Sequence, residues 1–209
     1  MAVENTTPNK VLPLAYLPSV SWFAAIRSGH SLLDTSEHFI KRSERNRTYI
    51  LTPSGPLPLT VQVCHADRPR TPMRDIRIDY SKRWQHQHWG ALTASYKASP
   101  FFDHYAPRFE PFYRRAWTFL VDYNFALVET LCGLTGIPVP PVSERYVEPT
   151  PDLLDLRPKQ QKDPAFAAEP YVQVFADRMA FVPDLSFIDL LFAEGPNAAA
   201  VLSRCRHAE

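Results

Sequence analysis

Between Glu37 and Arg47 the chain reads Glu37-His38-Phe39-Ile40-Lys41-Arg42-Ser43-Glu44-Arg45-Asn46-Arg47, its densest run of side chains able to bind charge or move protons. If the end of this run enters a strand extended, Arg45 and Arg47 project from one face. Two planar guanidinium forks there suit one carboxylate or phosphate, and Lys41 adds a point charge. Asn46 supplies an amide that can orient a carbonyl. His38 stands beside these cations, which lower its proton affinity and fit it to act as a general base. The same residues read equally as a solvated loop of mixed charge, offset by Glu37 and Glu44.

The remaining reactive side chains form weaker patterns. His86 and His88 are two apart on an expected helix, where metal ligands need a step of three or four, so no metal site is expected. His88 shares a stripe with Trp84, Leu92 and Tyr96, which makes it either a hydrogen-bonded core residue or a buried catalytic one. Cys64 and His65 adjoin on a strand and point to opposite faces, which works against a nucleophilic pair. No G-x-S-x-G elbow places a serine nucleophile, and no P-loop or G-x-G-x-x-G fingerprint occurs, so a nucleotide could bind only through side chains and no cofactor is expected. The aromatic band Phe101, Phe102, Tyr105, Phe109, Phe112, Tyr113 and Trp117 has the spacing of core-packing helices. Tyr113, flanked by Arg114 and Arg115, is the member placed to meet ligand or water.

These groups need a scaffold, and the hydrophobic pattern predicts one of α+β class. Strands are expected over 11–17, 31–34, 46–52, 57–64 and 76–79, with a hairpin at Pro53-Ser54-Gly55-Pro56. A helix capped by Ser19 or Ser21 ends at Gly29. Further helices are expected from Ser81 to Pro100, in two pieces broken by Pro107 and Pro111, and from Trp117 to Leu134. Residues 138–170 carry eight prolines and read as a long loop or arm. Tyr171 to Phe175 then forms a strand, Ser186 to Asp189 a capping box, and Pro196 opens a final helix. The expected fold is a small mixed β-sheet, built from the N-terminal half plus a C-terminal strand, packed with a helical middle and C-terminal helices. Residues 1–209 form a single domain, with 1–10 a flexible leader.

Composition excludes whole classes of function. With 23 Lys+Arg against 22 Asp+Glu there is no global field for nucleic acid or an anionic membrane. Six glycines leave few positions for backbone amides to approach phosphate, so any anion must be held by side chains. Three widely spaced cysteines make no disulfide framework and fit a reducing compartment. No stretch reads as a signal peptide or a membrane span, so a cytoplasmic location without membrane insertion is expected.

Several pieces, in order, resemble the WbqC-like family of bacterial proteins. They are Ala15-Tyr16-Leu17-Pro18, the run His38 to Arg47, Leu59-Thr60-Val61-Gln62-Val63, Trp84 to His88 running into Tyr96-Lys97-Ala98-Ser99-Pro100-Phe101-Phe102, Tyr171 to Phe175, and Phe181 to Gly195. Where relatives often carry asparagine this chain has Asp184, and Gln62 stands in place of a usual proline. The resemblance implies surface-polysaccharide (O-antigen) biosynthesis and an acyl or aminoacyl transferase, glycine being one suggested group. It carries Lys41, Arg45, Asn46, Arg47 and His88 over as site positions. The expected activity is transfer to an amino sugar or sugar nucleotide, with Lys41, Arg45, Asn46 and Arg47 binding and His38 or His88 removing the amine proton. A non-catalytic docking module using the proline-rich segment is the alternative, and a homo-oligomer is left open.

Overall fold

Val11, Leu12 and Leu14 to Leu17 are all buried, but only the front of this apolar run is a strand. In the computed structural model, which describes residues 8–64, 70–158 and 166–207, β1 covers Lys10–Pro13. Helix α1 (Val20–Arg27) follows, and β2 (Ser31–Asp34) returns parallel to β1, with Lys10 opposite Ser31 and Pro13 opposite Asp34. Ser19 caps α1 by accepting the Trp22 N–H, and Gly29 at φ +78° makes the left-handed turn that leads to β2. The end of the expected leader is anchored, since the N–H groups of Asn9 and Lys10 both donate to the His30 carbonyl. Residues 1–7 lie outside the described residues.

The strand expected to reach Leu17 stops early because other groups serve its backbone. Asn124 Nδ2 donates to the Leu14 carbonyl, Thr48 Oγ1 and Ser186 Oγ donate to that of Leu17, and the Tyr16 N–H donates to the Glu44 carbonyl. An irregular segment can therefore stay buried without orphaned polar groups. Its conformation at Leu17, φ +40°, turns the chain into α1.

The expected hairpin is present as β3 (Arg47–Thr52) and β4 (Gly55–Thr60), pairing Arg47 with Thr60 and Thr52 with Gly55. Ile76 to Asp79 is not a strand. It makes isolated bridges, Val63 with Ile78 and Arg77 with Phe119, because it lies between two segments and pairs briefly with each.

Helix α2 (Trp84–Tyr96) buries Trp84, His88, Leu92 and Tyr96 along one stripe, as the four-residue spacing predicts. Helix α3 (Phe102–Arg114) is continuous where two pieces were expected. Pro107 and Pro111 both lie on its exposed side. On the opposite side Phe102, Tyr105, Phe109 and Tyr113 are buried. Four aromatic burials at roughly 1.5–3 kcal/mol each outweigh two interior prolines at about 3 kcal/mol each. Helix α4 (Leu120–Thr135) ends at Gly136 in the left-handed region.

The proline-rich stretch is more than a surface arm. It contributes β5 (Val142–Ser143) and β6 (Leu154–Asp155) to a four-stranded parallel sheet of order β5-β2-β1-β6. Both are two-residue edge strands, the positions where neighbouring prolines cost a sheet least. Residues 159–165 lie outside the described residues.

The C-terminal strand is also displaced. β7 (Phe166–Ala167) pairs with β8 (Arg206–His207), with α5 (Phe187–Glu194) and α6 (Ala198–Arg204) between them, whereas Tyr171 to Phe175 is not a strand. Asp189 accounts for this by accepting hydrogen bonds from Tyr171 and from Gln173, two residues apart. That leaves Val172 between them 76% exposed. Asp189 is therefore turned inward and Ser186 Oγ donates to Leu17, so the expected capping box does not form. Buried side chains from all of α1 to α6 join one hydrophobic cluster.

Candidate functional site

In this sheet the crossover from β1 to β2 runs toward one edge, while β6 sits on the other side of β1. Ligands of open parallel sheets bind outside the carboxyl ends of the strands where the order reverses in this way. A cleft of about 260 Å³ lies there. Pro13 at the end of β1, the buried turn Tyr16–Ser19 and Leu156–Pro158 after β6 form one side. Residues 42–45, Arg47, Thr48 and Tyr49 form another, and Asp184 and Ser186 close it.

Four arginines border this space, and their partners differentiate them. Arg45 is only 1% exposed. Its Nε donates to Glu37 Oε1 at 2.8 Å, Nη2 donates both to Glu37 Oε2 and to the Arg157 carbonyl at 2.8 Å, and Nη1 donates to Ser43 Oγ at 3.1 Å. Arg157 is held by Asp155 at 2.7 Å and by Asp34 at 2.5 Å, and Asp34 also accepts the N–H groups of Ser36, Glu37 and Val147. Burial pushes the Glu37 carboxyl up to about 7 against the opposing pull of Arg45. Arg45 and Arg157 are thus the cationic half of a buried network that ties the proline-rich segment to the sheet.

Arg42 and Arg47 are different. Arg47 is half-buried and uses Nε to reach Thr60 Oγ1 at 2.8 Å. Arg42 is exposed, and among the described residues its guanidinium makes no hydrogen bond. Its backbone sits at φ +60°, held by Asn46 Oδ1, which accepts the Arg42 N–H at 2.9 Å. Two residues beyond Arg47 on the same face of β3, Tyr49 is 46% exposed and lines the cleft.

Hydroxyls and carboxylates complete the lining. Ser19 Oγ donates to Glu44 Oε1 at 3.0 Å and lies 3.0 Å from Ser21 Oγ. Asp184 Oδ1 accepts the Ser21 N–H at 2.8 Å, the Val20 N–H donates to the Leu185 carbonyl, and the Trp22 N–H goes to Ser19. The first amides of α1 are therefore satisfied within the protein and are not open toward the cleft.

Of the residues expected to act, Arg45 and Arg47 both reach this cleft, but not as an equivalent pair, since Glu37 engages Arg45. Asn46 is buried, and its amide bonds the backbone of Arg42 and Val61, so it shapes the turn rather than facing a ligand. His38 and Lys41 are exposed and are not among the lining residues. His38 instead bridges to Pro72. His88 is 5% exposed behind the cleft, where burial pushes it down to about 4 against a hydrogen bond to the Thr60 backbone. Its Nδ1 lies 2.9 Å from the Tyr16 hydroxyl, which is 3.0 Å from that of Tyr113. Tyr113 is accordingly buried and does not meet solvent as expected. The arginines beside it turn outward on the solvent side of α3.

Cys64 is half-buried and His65 lies outside the described residues. Among the described residues no group of His, Cys, Asp and Glu could hold a metal ion, and no helix is long and apolar enough to cross a membrane. Sequence reasoning missed Ser19, Arg42, Glu44, Tyr49, Arg157 and Asp184 as cleft residues. Tyr49 carried a usable signal, its period-two spacing from Arg47. Arg157 and Asp184 carried none, because only the sheet order and the path into α5 bring them here.

No curated protein and no solved structure matches the chain. A model of the WbqC-like protein family does match, over residues 15–157. That span includes the Tyr16 turn, the arginine-rich loop, β3 and Arg157, and on this match over more than half its length the chain belongs to the WbqC-like family.

Proposed function

We propose that the protein transfers an acyl or aminoacyl group, such as glycine, to an amino sugar carried on a nucleotide in the biosynthesis of a bacterial surface polysaccharide such as O-antigen. Family membership suggests polysaccharide biosynthesis. The observation that carries the finer reading is the pairing of Arg42 and Arg47 with the half-exposed ring of Tyr49 in one cleft at the β1/β6 switch point. Guanidinium groups hold phosphate oxygens by paired hydrogen bonds, and an aromatic face stacks a sugar or base. Arg45 and Arg157 support the wall from behind. Neutral His88 holds Tyr16, and with it the turn that floors the cleft. Converging polar groups in an enclosed space support an enzyme over a docking module, which needs a broad apolar face.

Calorimetric titration with a nucleoside diphosphate sugar tests the reading. Arg42→Ala and Arg47→Ala should each weaken binding roughly tenfold or more, as loss of a hydrogen bond to a charged group implies. Incubation with an activated aminoacyl donor should then add the mass of the acyl group to the sugar amine. Unchanged affinity in both variants overturns the proposal.

A further inference from the structure

The face of β3 that carries Arg47 and Tyr49 continues to Leu51, about 7 Å beyond Tyr49 along the strand. At Tyr49 this face is open to the cleft, whereas at Leu51 the segment 171–181 covers it and frames a second recess of about 170 Å³. The two spaces share walls. β3 runs along both, and the chain that supplies Phe181 to the recess goes on to supply Asp184 and Ser186 to the cleft, with the Ser186 N–H donating to the Tyr49 carbonyl at 2.8 Å. Leu51, Phe175, Met179 and Phe181 make the recess apolar. Its polar members are already engaged. The Tyr171 hydroxyl donates to Asp189 at 2.5 Å, and Gln173 donates to Asp189 and to the Val182 carbonyl while accepting the Val182 N–H. Backbone bonds from Ala176 to Gln173 and from Met179 to Phe175 close the turn that carries the apolar wall. A space walled in this way favours hydrocarbon and penalises a charged or polar group brought into it without a partner.

We propose that this recess binds the aliphatic chain of the acyl group that the protein transfers, a role resting on the transferase reading above. An apolar cavity of roughly 150 Å³ holds a six-carbon ring, so the recess fits a chain of about four to six carbons. Within the acyl and aminoacyl groups of that reading, it ranks aliphatic ones above glycine, whose ammonium finds no partner in such a lining. With the sugar nucleotide at Arg42, Arg47 and Tyr49, the acyl carbon is carried to the junction of Tyr49 and Ser186, where the two spaces adjoin. The donor is an acyl thioester. The sugar's amine nitrogen bonds to the acyl carbon, the bond from that carbon to sulfur breaks with its electron pair moving to sulfur, and the proton that nitrogen loses ends on the departing thiolate.

The test is calorimetric titration of the full chain with the N-acetylcysteamine thioesters of acetate, pentanoate and decanoate, and separately with UDP-glucosamine. Each buried methylene should strengthen binding about fourfold, so the pentanoyl compound should bind at least tenfold more tightly than the acetyl compound. The decanoyl chain overruns the recess and should gain nothing further. Ala176 and Ala180 stand at its exposed rim, so Ala176→Phe and Ala180→Phe fill it without disturbing the core. Each should bring the ratio of pentanoyl to acetyl affinity near one and leave the affinity for UDP-glucosamine within about twofold. Arg47→Ala should weaken UDP-glucosamine and leave the ratio unmoved. A wild-type ratio near one, a steady gain out to decanoyl, or a ratio that neither alanine variant moves overturns the acyl recess and leaves the arginine reading standing. Failure of UDP-glucosamine to bind overturns the transferase reading and the donor assignment with it.

Discussion

Replacing Arg45 by Ala should destabilise the protein in a way that depends on pH, and the network around Glu37 supplies the numbers. The substitution removes both bonds to Glu37 and those to Ser43 and the Arg157 carbonyl. Breaking a pair buried this deeply costs about 3–5 kcal/mol, or roughly 6–20 °C in Tm for a chain of this size. Glu37 starts from an ordinary value of 4.5 and is pushed up to about 7 in the fold. A raised carboxyl contributes stability that is fully present below its unfolded value and is lost as pH rises through its folded value. In the wild type that loss levels off above about pH 7, where Glu37 ionises in the fold. Without Arg45 the folded value rises further, so the variant keeps losing about tenfold in its folding equilibrium per pH unit. Urea denaturation should show a constant gap between variant and wild type from pH 5 to 6.5, widening by about 2 kcal/mol between pH 7 and 8.5. Arg47→Ala, losing one bond to Thr60, should cost about 1 kcal/mol with no such slope. A flat gap above pH 7, or equal costs at 45 and 47, refutes the assignment of Arg45 to the scaffold and restores it as a ligand group.

Two further outcomes follow from the surroundings of the cleft. Tyr16→Phe removes a buried hydroxyl placed between His88 Nδ1 and the Tyr113 hydroxyl and should cost about 1–3 kcal/mol, read as a Tm loss of roughly 2–12 °C by calorimetry; no loss would mean these groups are satisfied elsewhere. Gly195→Ala would place a Cβ 2.5 Å from the Phe101 ring at a residue with φ +55° and ψ −125°, so thermal unfolding should fall well below wild type, and a shift under about 2 °C would contradict that packing.

How much of this was legible follows from which interactions are local. The stripe Trp84, His88, Leu92, Tyr96 and the hairpin at 53–56 depend on neighbours within a few residues, and both appear where the pattern puts them. The two edge strands of the sheet were hidden because residues 138–170 are dominated by proline, and each strand is only two residues long. Pro107 and Pro111 misled for a related reason. Their cost is outweighed by what the opposite side of the helix buries, which the prolines alone do not reveal. Tyr171 to Phe175 alternates as a strand should, yet its pattern serves Asp189, fourteen residues after its end, rather than a neighbouring strand.

The candidate site divides along the same line. A run holding Lys41, Arg42, Arg45 and Arg47 announces an anion site, but sequence ranks these cations by spacing, and spacing selects Arg45 with Arg47. The fold ranks them by the carboxylates behind them. Glu37 stands eight residues before Arg45, and β2 and β6, parallel on either side of β1, bring Asp34 and Asp155 onto Arg157, so two guanidinium groups become wall. Arg42 gains its position from Asn46, whose amide fixes the left-handed backbone four residues earlier. One of the two cations left to the cleft, Arg42, is therefore the one a buried neutral residue positions, and the cation that looked central is the one the core neutralises. Asn46→Asp separates these roles. It keeps the acceptor for the Arg42 N–H and loses the donor to Val61, so the turn that carries Arg42 survives only as far as that second bond is dispensable.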